Sequence, residues 1–168
     1  TMPSPGVEPL SAIMQRFVTH HPDITMSVDG AFVPEEVLHA VRTGRPHVTW
    51  KLAATLDGRS AAADGTSRWI TGADARAEVH ALRAGMDAIV VGTGTVLADD
   101  PSLTARRSDG SLRERSPLRV VVGHRDVPSG FALDAPDVLH LRTRDPDAVL
   151  AALHDRGVVD VLLEGGPR

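Results

Sequence analysis

The apolar residues of this chain are grouped into short runs, one of them uninterrupted (residues 88–91) and the other three containing one polar residue each, with amphipathic segments between them. The runs occupy residues 88–91, 118–122, 138–141 and 158–163. Runs of this length are typical of strands buried on both faces of a parallel sheet. Residues 48–52 alternate instead, so a strand is expected there, with Lys51 on the face opposite Val48 and Trp50.

Helical periodicity separates these runs. Apolar positions recur at helical spacing in residues 10–20, 35–42, 74–83 and 147–155. Thr71 and Asp74 have the spacing of a capping box, which predicts that the helix of residues 74–83 starts there. Asp-Gly and Gly-Pro signals mark turns, and residues 24–33 suggest two short strands around such a turn. Strands that alternate with helices predict an α/β fold with a mainly parallel sheet flanked by helices.

Composition narrows the possible functions. The 168 residues predict one domain or one domain with an appendage. A net charge of -4 argues against nucleic acid as the main partner, and 3% aromatic residues against a base-stacking surface. There is no cysteine and no apolar run near the roughly 20 residues of a membrane span. Without a secretion signal, a cytoplasmic protein with no membrane partner is expected.

The domain organisation centres on residues 47–106, where a strand, a polar loop, a helix and a second strand lead into Gly92-Thr93-Gly94-Thr95. Residues 43–46 carry a Gly and Pro boundary signal. We therefore expect an N-terminal appendage of unknown role at residues 1–43 and the main domain at residues 44–168.

Two glycine turns follow apolar strands, at residues 92–95 and 164–167. Each is open to two interpretations, a structural turn or a backbone cradle for a phosphate. Neither matches the G-x-G-x-x-G dinucleotide motif. Because the carboxyl ends of parallel strands share one edge of the sheet, the two turns would lie close together. This gives the nucleotide-site interpretation about the same weight as that of two structural turns.

Six charged residues are considered for chemistry. Arg83 and Arg106 would form either a phosphate clamp or part of a solvated surface. Lys51 lies in an apolar strand and needs a partner if buried, and Glu164, at the end of another strand, is a plausible one. That pair could equally be structural. The adjacent Asp99 and Asp100 fit capping better than catalysis, and no ligand set for a metal is evident, so no metal is expected.

Four segments, which follow one another in the same order as in the family, resemble the reductase domain of the bifunctional riboflavin-biosynthesis deaminase/reductase. They are VTWKLAATLDGRSAAADGTSRWITG, RAGMDAIVVGTGTVLADDPSLTAR, PLRVVV and VLLEGGP, and the similarity covers residues 44–167. The resemblance implies a dihydrofolate-reductase-like fold. It also implies an NADPH-dependent oxidoreductase that reduces 5-amino-6-(5-phosphoribosylamino)uracil, a phosphorylated pyrimidine, to its ribitylamino product.

The resemblance also assigns roles by position. The implied catalytic residues are Lys51 and Glu164. The implied substrate contacts are Ser67, Arg83, Leu103, Arg106 and Glu164. The implied cofactor contacts are Ala53, Trp69, Thr95, Asp99, His124 and Gly166.

Two departures from the family are expected to matter. Residues 1–43 lack the zinc-deaminase motifs of the bifunctional form, so no deaminase activity is expected. The family's domain continues beyond EGGP, so the sheet is expected to be incomplete at the C-terminus and the chain to be a fragment, with an exposed edge that favours a homodimer. The alternatives are a related pterin or pyrimidine reductase of the same fold, or an inactive ligand-binding fragment.

Overall fold

A computed structural model describes residues 34–60 and 71–165. The helices are α1 (Glu35–Thr43), α2 (Ala73–Gly85), α3 (Thr93–Asp99) and α4 (Pro146–His154). The strands are β1 (His47–Lys51), β2 (Ala88–Gly92), β3 (Leu118–Val122), β4 (Val138–Leu141) and β5 (Asp160–Glu164). The helix predicted in residues 10–20 and the strands predicted in residues 24–33 lie outside the described residues.

The described strands form one parallel sheet in the order β1-β5-β2-β3-β4. The chain runs outward from β2 to β4, and α4 then carries it back so that β5 enters between β1 and β2. The register of β1 and β5 pairs Lys51 with Glu164 at their carboxyl ends. The predicted parallel α/β architecture is therefore confirmed. The carboxyl ends of the described strands all lie at the same edge of the sheet.

Both faces of the central strands are covered. Residues Ala88 to Val91 of β2 are 0–6% exposed, as the uninterrupted apolar run predicts. One face packs against α4, and the buried side chains of this cluster are Ala88, Val90, Val120, Val149, Leu153, Val158 and Val161. The other face packs against α2, α3 and the connection before β4. The buried side chains of this second cluster are Ile89, Val91, Val96, Leu103, Val121, Leu133 and Leu162.

The outermost strand β1 is less covered. Val48 is 41% and Trp50 58% exposed, whereas Lys51, which points to the opposite face, is half-buried. The predicted alternation is confirmed, and it directs the single cation of this strand toward the α2 side of the sheet. In the described part of the chain, none of the helices combines the length and apolar character needed to cross a bilayer.

The start of α2 corrects one sequence prediction. Helix α2 is capped by Gly72, and no side-chain hydrogen bond from the described residues caps it. The capping box at Thr71 was therefore a wrong prediction, because the extended backbone of the cap falls one residue later. Helix α4, by contrast, has a side-chain cap. The Asp145 carboxylate accepts a hydrogen bond from the Asp147 amide at 3.0 Å, and Pro146 is the first residue of the helix.

The Gly-Thr-Gly-Thr segment is also different from its prediction. A glycine turn was expected there, but Thr93 opens a helix that continues to Asp99. The buried side chains of Thr93 and Val96 anchor this helix to the sheet, and Asp100, with a φ of 41°, ends it. The segment thus turns directly from β2 into α3.

Removing one methyl group from the core should have a measurable cost. Ile89 is fully buried in β2, so Ile89→Val is expected to lower the free energy of unfolding by about 1 kcal/mol. Urea denaturation measures this change. Leu56→Ala is the control, because Leu56 is fully exposed; an equal loss in both variants would contradict the position given to Ile89.

Candidate functional site

A cleft of about 530 Å³ opens at the carboxyl ends of the strands. Its lining residues are Trp50, Gly92, Thr93, Gly94, Thr95, Val122, Gly123, Arg125, Arg144, Leu163, Glu164 and Gly165. They come from the ends of β1, β5, β2 and β3, from the first turn of α3 and from the segment between β4 and α4. A cleft at this edge, beside the strand where the chain order reverses, is the usual ligand position in open parallel sheets.

Glycines allow the loops around this cleft to approach one another. Gly123 has a φ of 134°, and a Cβ atom there would lie 2.5 Å from the Thr93 hydroxyl oxygen. Gly165 has a φ of 136°, and a Cβ atom there would lie 3.0 Å from the Thr95 hydroxyl oxygen. Both positions therefore require glycine for conformation as well as for space.

Substitution of Gly123 tests this close approach. Gly123→Ala is expected to destabilise the protein by about 2 kcal/mol, since it combines backbone strain with a clash against Thr93. Thermal unfolding measures the loss. Gly85→Ala is the control, because nothing lies within 4 Å of its added Cβ and the residue ends a helix; a Gly123 variant as stable as this control would disprove the packing described.

A buried charge cluster lies at the β1–β5 end of the cleft. Glu164, whose side chain is 8% exposed, accepts hydrogen bonds from Arg83 Nε at 2.6 Å and from Arg83 Nη2 at 2.8 Å. Lys51 Nζ lies 3.7 Å from Glu164 Oε2. The predicted pairing of Lys51 with Glu164 is present, but Arg83 is the closer partner. Two cations and one carboxylate give the cluster a net positive charge, and of these three residues Glu164 lines the cleft.

Arg83 is also fixed to the chain on its other side. Its Nη1 donates to the Thr104 carbonyl oxygen at 3.1 Å, and His80 Nδ1 lies 3.1 Å from the same oxygen. The Arg83 side chain is only 13% exposed. The solvated-surface interpretation is therefore wrong for Arg83, whose guanidinium joins α2 to β5 and to the segment after α3.

Arg106 is not drawn into this cluster. Its Nη1 donates to the Gly110 carbonyl oxygen at 2.9 Å, and its backbone forms an isolated bridge with Leu112. Among the described contacts the two arginines thus have separate partners. A common clamp formed by Arg83 and Arg106 stays a prediction.

The other predicted contacts fall into different environments. Thr95 lines the cleft. Leu103 has a φ of 52° and is 1% exposed in the core, so only its backbone could meet a substrate. Ala53 is half-buried just beyond β1, and His124 is exposed, with its carbonyl accepting from Arg142 at 3.2 Å. Their assigned roles stay predictions.

The two aspartates after β2 have distinct positions. Asp99 is the last residue of α3, and its predicted cofactor contact stays a prediction. Asp100 Oδ1 accepts a hydrogen bond from the Ala132 amide at 2.8 Å. The capping interpretation is therefore confirmed for Asp100. Across residues 34–60 and 71–165, no group of three potential ligand side chains could hold a metal ion.

Three predicted site residues, Ser67, Trp69 and Gly166, lie outside the described residues. The structure adds others that sequence reasoning missed, namely Trp50, Gly123, Arg125 and Arg144. A signal for Gly123 was present, because it directly follows an apolar strand in the same way as Gly92 and Gly165. Trp50 had no such signal; its Nε1 donates to the Gly165 carbonyl oxygen at 3.4 Å.

Comparisons with known proteins agree with this geometry. Residues 46–168 match the model of the RibD C-terminal domain. The chain belongs to the RibD C-terminal domain family. The matched region begins just before β1, and α1 lies ahead of it. The expected domain boundary between residues 43 and 44 stays a prediction.

Relatives extend well beyond the matched region. The riboflavin biosynthesis protein RibD of Mycobacterium tuberculosis (strain H37Rv) is 60% identical over 134 residues, which cover 79% of this chain and 39% of that protein. RibD of Corynebacterium ammoniagenes is 52% identical over 133 residues, with 77% and 39% covered. The chain therefore spans 39% of the length of these curated relatives.

Solved structures support the fold. A Thermotoga maritima diaminohydroxyphosphoribosylaminopyrimidine deaminase/5-amino-6-(5-phosphoribosylamino)uracil reductase superposes with a TM-score of 0.67 at 34% identity, covering 79% of this chain and 42% of that one. Acinetobacter baumannii RibD gives a TM-score of 0.67 at 33% identity, covering 79% and 43%. The predicted dihydrofolate-reductase-like fold of the RibD reductase domain is thereby confirmed.

Proposed function

We propose that this chain carries the site for NADPH-dependent reduction of 5-amino-6-(5-phosphoribosylamino)uracil in riboflavin biosynthesis. The observation that carries the proposal is the buried cluster of Lys51, Glu164 and Arg83 at the end of a strand-edge cleft. A related protein of 34% identity bears the name of this reductase. Clusters of charged side chains beside a cleft are common at functional sites, which favours a reactive site over a purely structural one.

The residues around the cleft suit a nicotinamide dinucleotide. Gly92, Gly94 and Gly123 line the cleft, and Thr93 and Thr95 offer hydroxyl groups. The volume of about 530 Å³ lies in the usual range of cofactor sites. When bound, the cofactor supplies a hydride. The protein must then supply orientation and a proton.

Lys51 is the proton donor in this scheme. Its ammonium group carries three N–H donors and is held, by Glu164 at 3.7 Å, at the end of β1. As the C1′–O4′ bond of the ribose opens, the released oxygen takes a proton from Lys51 and C1′ gains the hydride. Solvent restores the proton on Lys51. Substrate, NADPH and one proton thus give the ribityl product and NADP⁺.

Arg83 keeps donor capacity for the substrate. A guanidinium has five N–H groups, and three of those on Arg83 bond to Glu164 and Thr104. The remaining two are available to a substrate oxygen. We therefore retain Arg83 as a substrate contact, with Glu164 holding both Arg83 and Lys51 in place.

Turnover by the purified chain tests the proposal. Incubation with NADPH and the phosphoribosylaminouracil should yield NADP⁺ and a product two hydrogen atoms heavier, measured by absorbance and mass spectrometry. A reduced pterin under the same conditions, with no change in the pyrimidine, would favour a pterin reductase. Cofactor binding with no reduction of either compound would identify a ligand-binding module instead.

A further inference from the structure

His80 is a half-buried side chain of α2 that takes no direct part in the reaction proposed above. Its Nδ1 atom lies 3.1 Å from the carbonyl oxygen of Thr104, and Nη1 of Arg83 donates to the same oxygen at 3.1 Å. A carbonyl oxygen can only accept, so His80 carries a proton on Nδ1 in this contact. The Thr104 oxygen therefore accepts two hydrogen bonds, one for each of its lone pairs.

Helical spacing brings both donors to one side of α2. Residues three positions apart are neighbours on the surface of a helix, so His80 and Arg83 reach the Thr104 carbonyl from adjacent turns. A single donor leaves a carbonyl group free to pivot about the hydrogen bond. Two donors from one helix fix both the distance and the direction of the group. The pair thus sets the position of the Thr104 peptide relative to α2.

The residues on either side of Thr104 are fixed as well. Leu103 is 1% exposed with a φ of 52°, and Ala105 is fully buried. The Ala105 carbonyl oxygen accepts a hydrogen bond from the Arg113 amide at 3.1 Å. Because its neighbours are held in the core, the Thr104 carbonyl is a fixed acceptor for the side chain of Arg83.

This fixed carbonyl completes the positioning of the Arg83 guanidinium. Glu164 accepts from Nε at 2.6 Å and from Nη2 at 2.8 Å, so β5 sets one edge of the guanidinium plane. The contact between Nη1 and Thr104 sets another edge. One N–H on Nη1 and one on Nη2 then remain, and their direction depends on both contacts. A displaced Thr104 carbonyl would redirect these two N–H groups.

We propose that His80 is a positioning residue, which orients Arg83 for the substrate through the Thr104 carbonyl. The inference rests on the proposed function, in which Arg83 binds an oxygen of the phosphorylated pyrimidine. Among the described residues, His80 is not one of those that line the cleft. Its removal should therefore weaken binding of the pyrimidine and leave binding of NADPH unchanged.

Calorimetric titration of the intact chain with the phosphoribosylaminouracil tests this role in three variants. His80→Leu keeps much of the bulk of the side chain but removes the donor. It should weaken binding by about 3- to 10-fold, the loss expected for one hydrogen bond. His80→Asn should recover most of the affinity, since its amide nitrogen can take the place of Nδ1. His154→Leu is the matched control, because α4 packs on the opposite face of the sheet.

A second ligand separates positioning from folding. Circular dichroism establishes that each variant is folded, and titration with NADPH should give the wild-type affinity in all of them. Steady-state rates should show the same division, with KM for the pyrimidine raised in His80→Leu and kcat little changed. Loss of affinity for the pyrimidine alone, with recovery in His80→Asn, would support the role of His80.

Three results would overturn the assignment. If His80→Leu binds both ligands as the wild type does, or loses affinity for both alike, His80 serves only the stability of the fold. An Asn variant as weak as the Leu variant would show that the Nδ1 donor is not the cause. If a folded wild-type chain does not bind the pyrimidine, the proposed function is wrong and the positioning role falls with it. The first two results leave the proposed function intact, so the failures are distinguishable.

Discussion

Glu164→Gln is expected to lower the free energy of unfolding by about 3 kcal/mol. The substitution preserves the shape of the side chain but removes the charge that neutralises Arg83 at 2.6 Å and Lys51 at 3.7 Å. Breaking one partner of a buried ion pair leaves an uncompensated charge, which typically costs about 3–5 kcal/mol. The half-buried position of Lys51 places the expected loss at the lower end of that range.

Urea denaturation of the folded chain measures this loss. Glu114→Gln is the matched control, because Glu114 is 98% exposed and lies 3.9 Å from Arg107. Its removal should cost less than about 0.5 kcal/mol. A Glu164 variant as stable as the Glu114 variant would show that the buried cluster contributes little to folding. An Arg83→Met, Glu164→Gln double variant should recover part of the stability, since it removes the orphaned cation.

Lys51→Met is expected to lower kcat by about 10²- to 10⁴-fold, the usual contribution of a positioned proton donor. The aliphatic stem is retained, and Glu164 keeps both of its bonds to Arg83. The variant should therefore fold and should bind NADPH as the wild type does. Steady-state rates with saturating NADPH measure the loss, and calorimetry measures the cofactor affinity.

A second readout distinguishes chemistry from structure at this position. Lys51 is the only lysine in the chain, so an amine-selective reagent modifies it alone apart from the amino terminus. Substrate and NADPH together should protect Lys51 from that reagent. A Lys51→Met variant with wild-type kcat would show that Lys51 takes no part in the reaction. Equal modification of the Lys51 amine by the reagent with and without ligands would show the same.

The sheet could be predicted from the sequence because the physics is local. An uninterrupted apolar run such as residues 88–91 places apolar side chains on both faces of a strand, so both faces must be covered. In the structure all four of these side chains are buried. Lys51 was also predictable, since alternation along β1 fixes its face. The pairing with Glu164 then followed from two strands that end at the same edge.

The remaining features depend on tertiary contacts that no local pattern encodes. Arg83 belongs to an amphipathic helix with other basic residues, and nothing in that helix indicates which cation is buried. The insertion of β5 between β1 and β2 selects it, because that insertion places Glu164 within 2.6 Å. Likewise, Arg125 and Arg144 become neighbours of one cleft only because β3 and β4 are adjacent. The Thr71 capping box failed for a smaller reason, a shift of one residue in the extended cap.

Transfer of deuterium from NADPH that is deuterated at both C4 positions tests the central claim most directly. With the phosphoribosylaminouracil as substrate, the account predicts one deuterium atom at C1′ of the ribityl product, formed by the wild-type chain and far more slowly by Lys51→Met. Mass spectrometry and NMR locate the label. A folded wild-type chain that binds NADPH but leaves the sugar without deuterium would contradict the assignment of the strand-edge cleft as a reductase site.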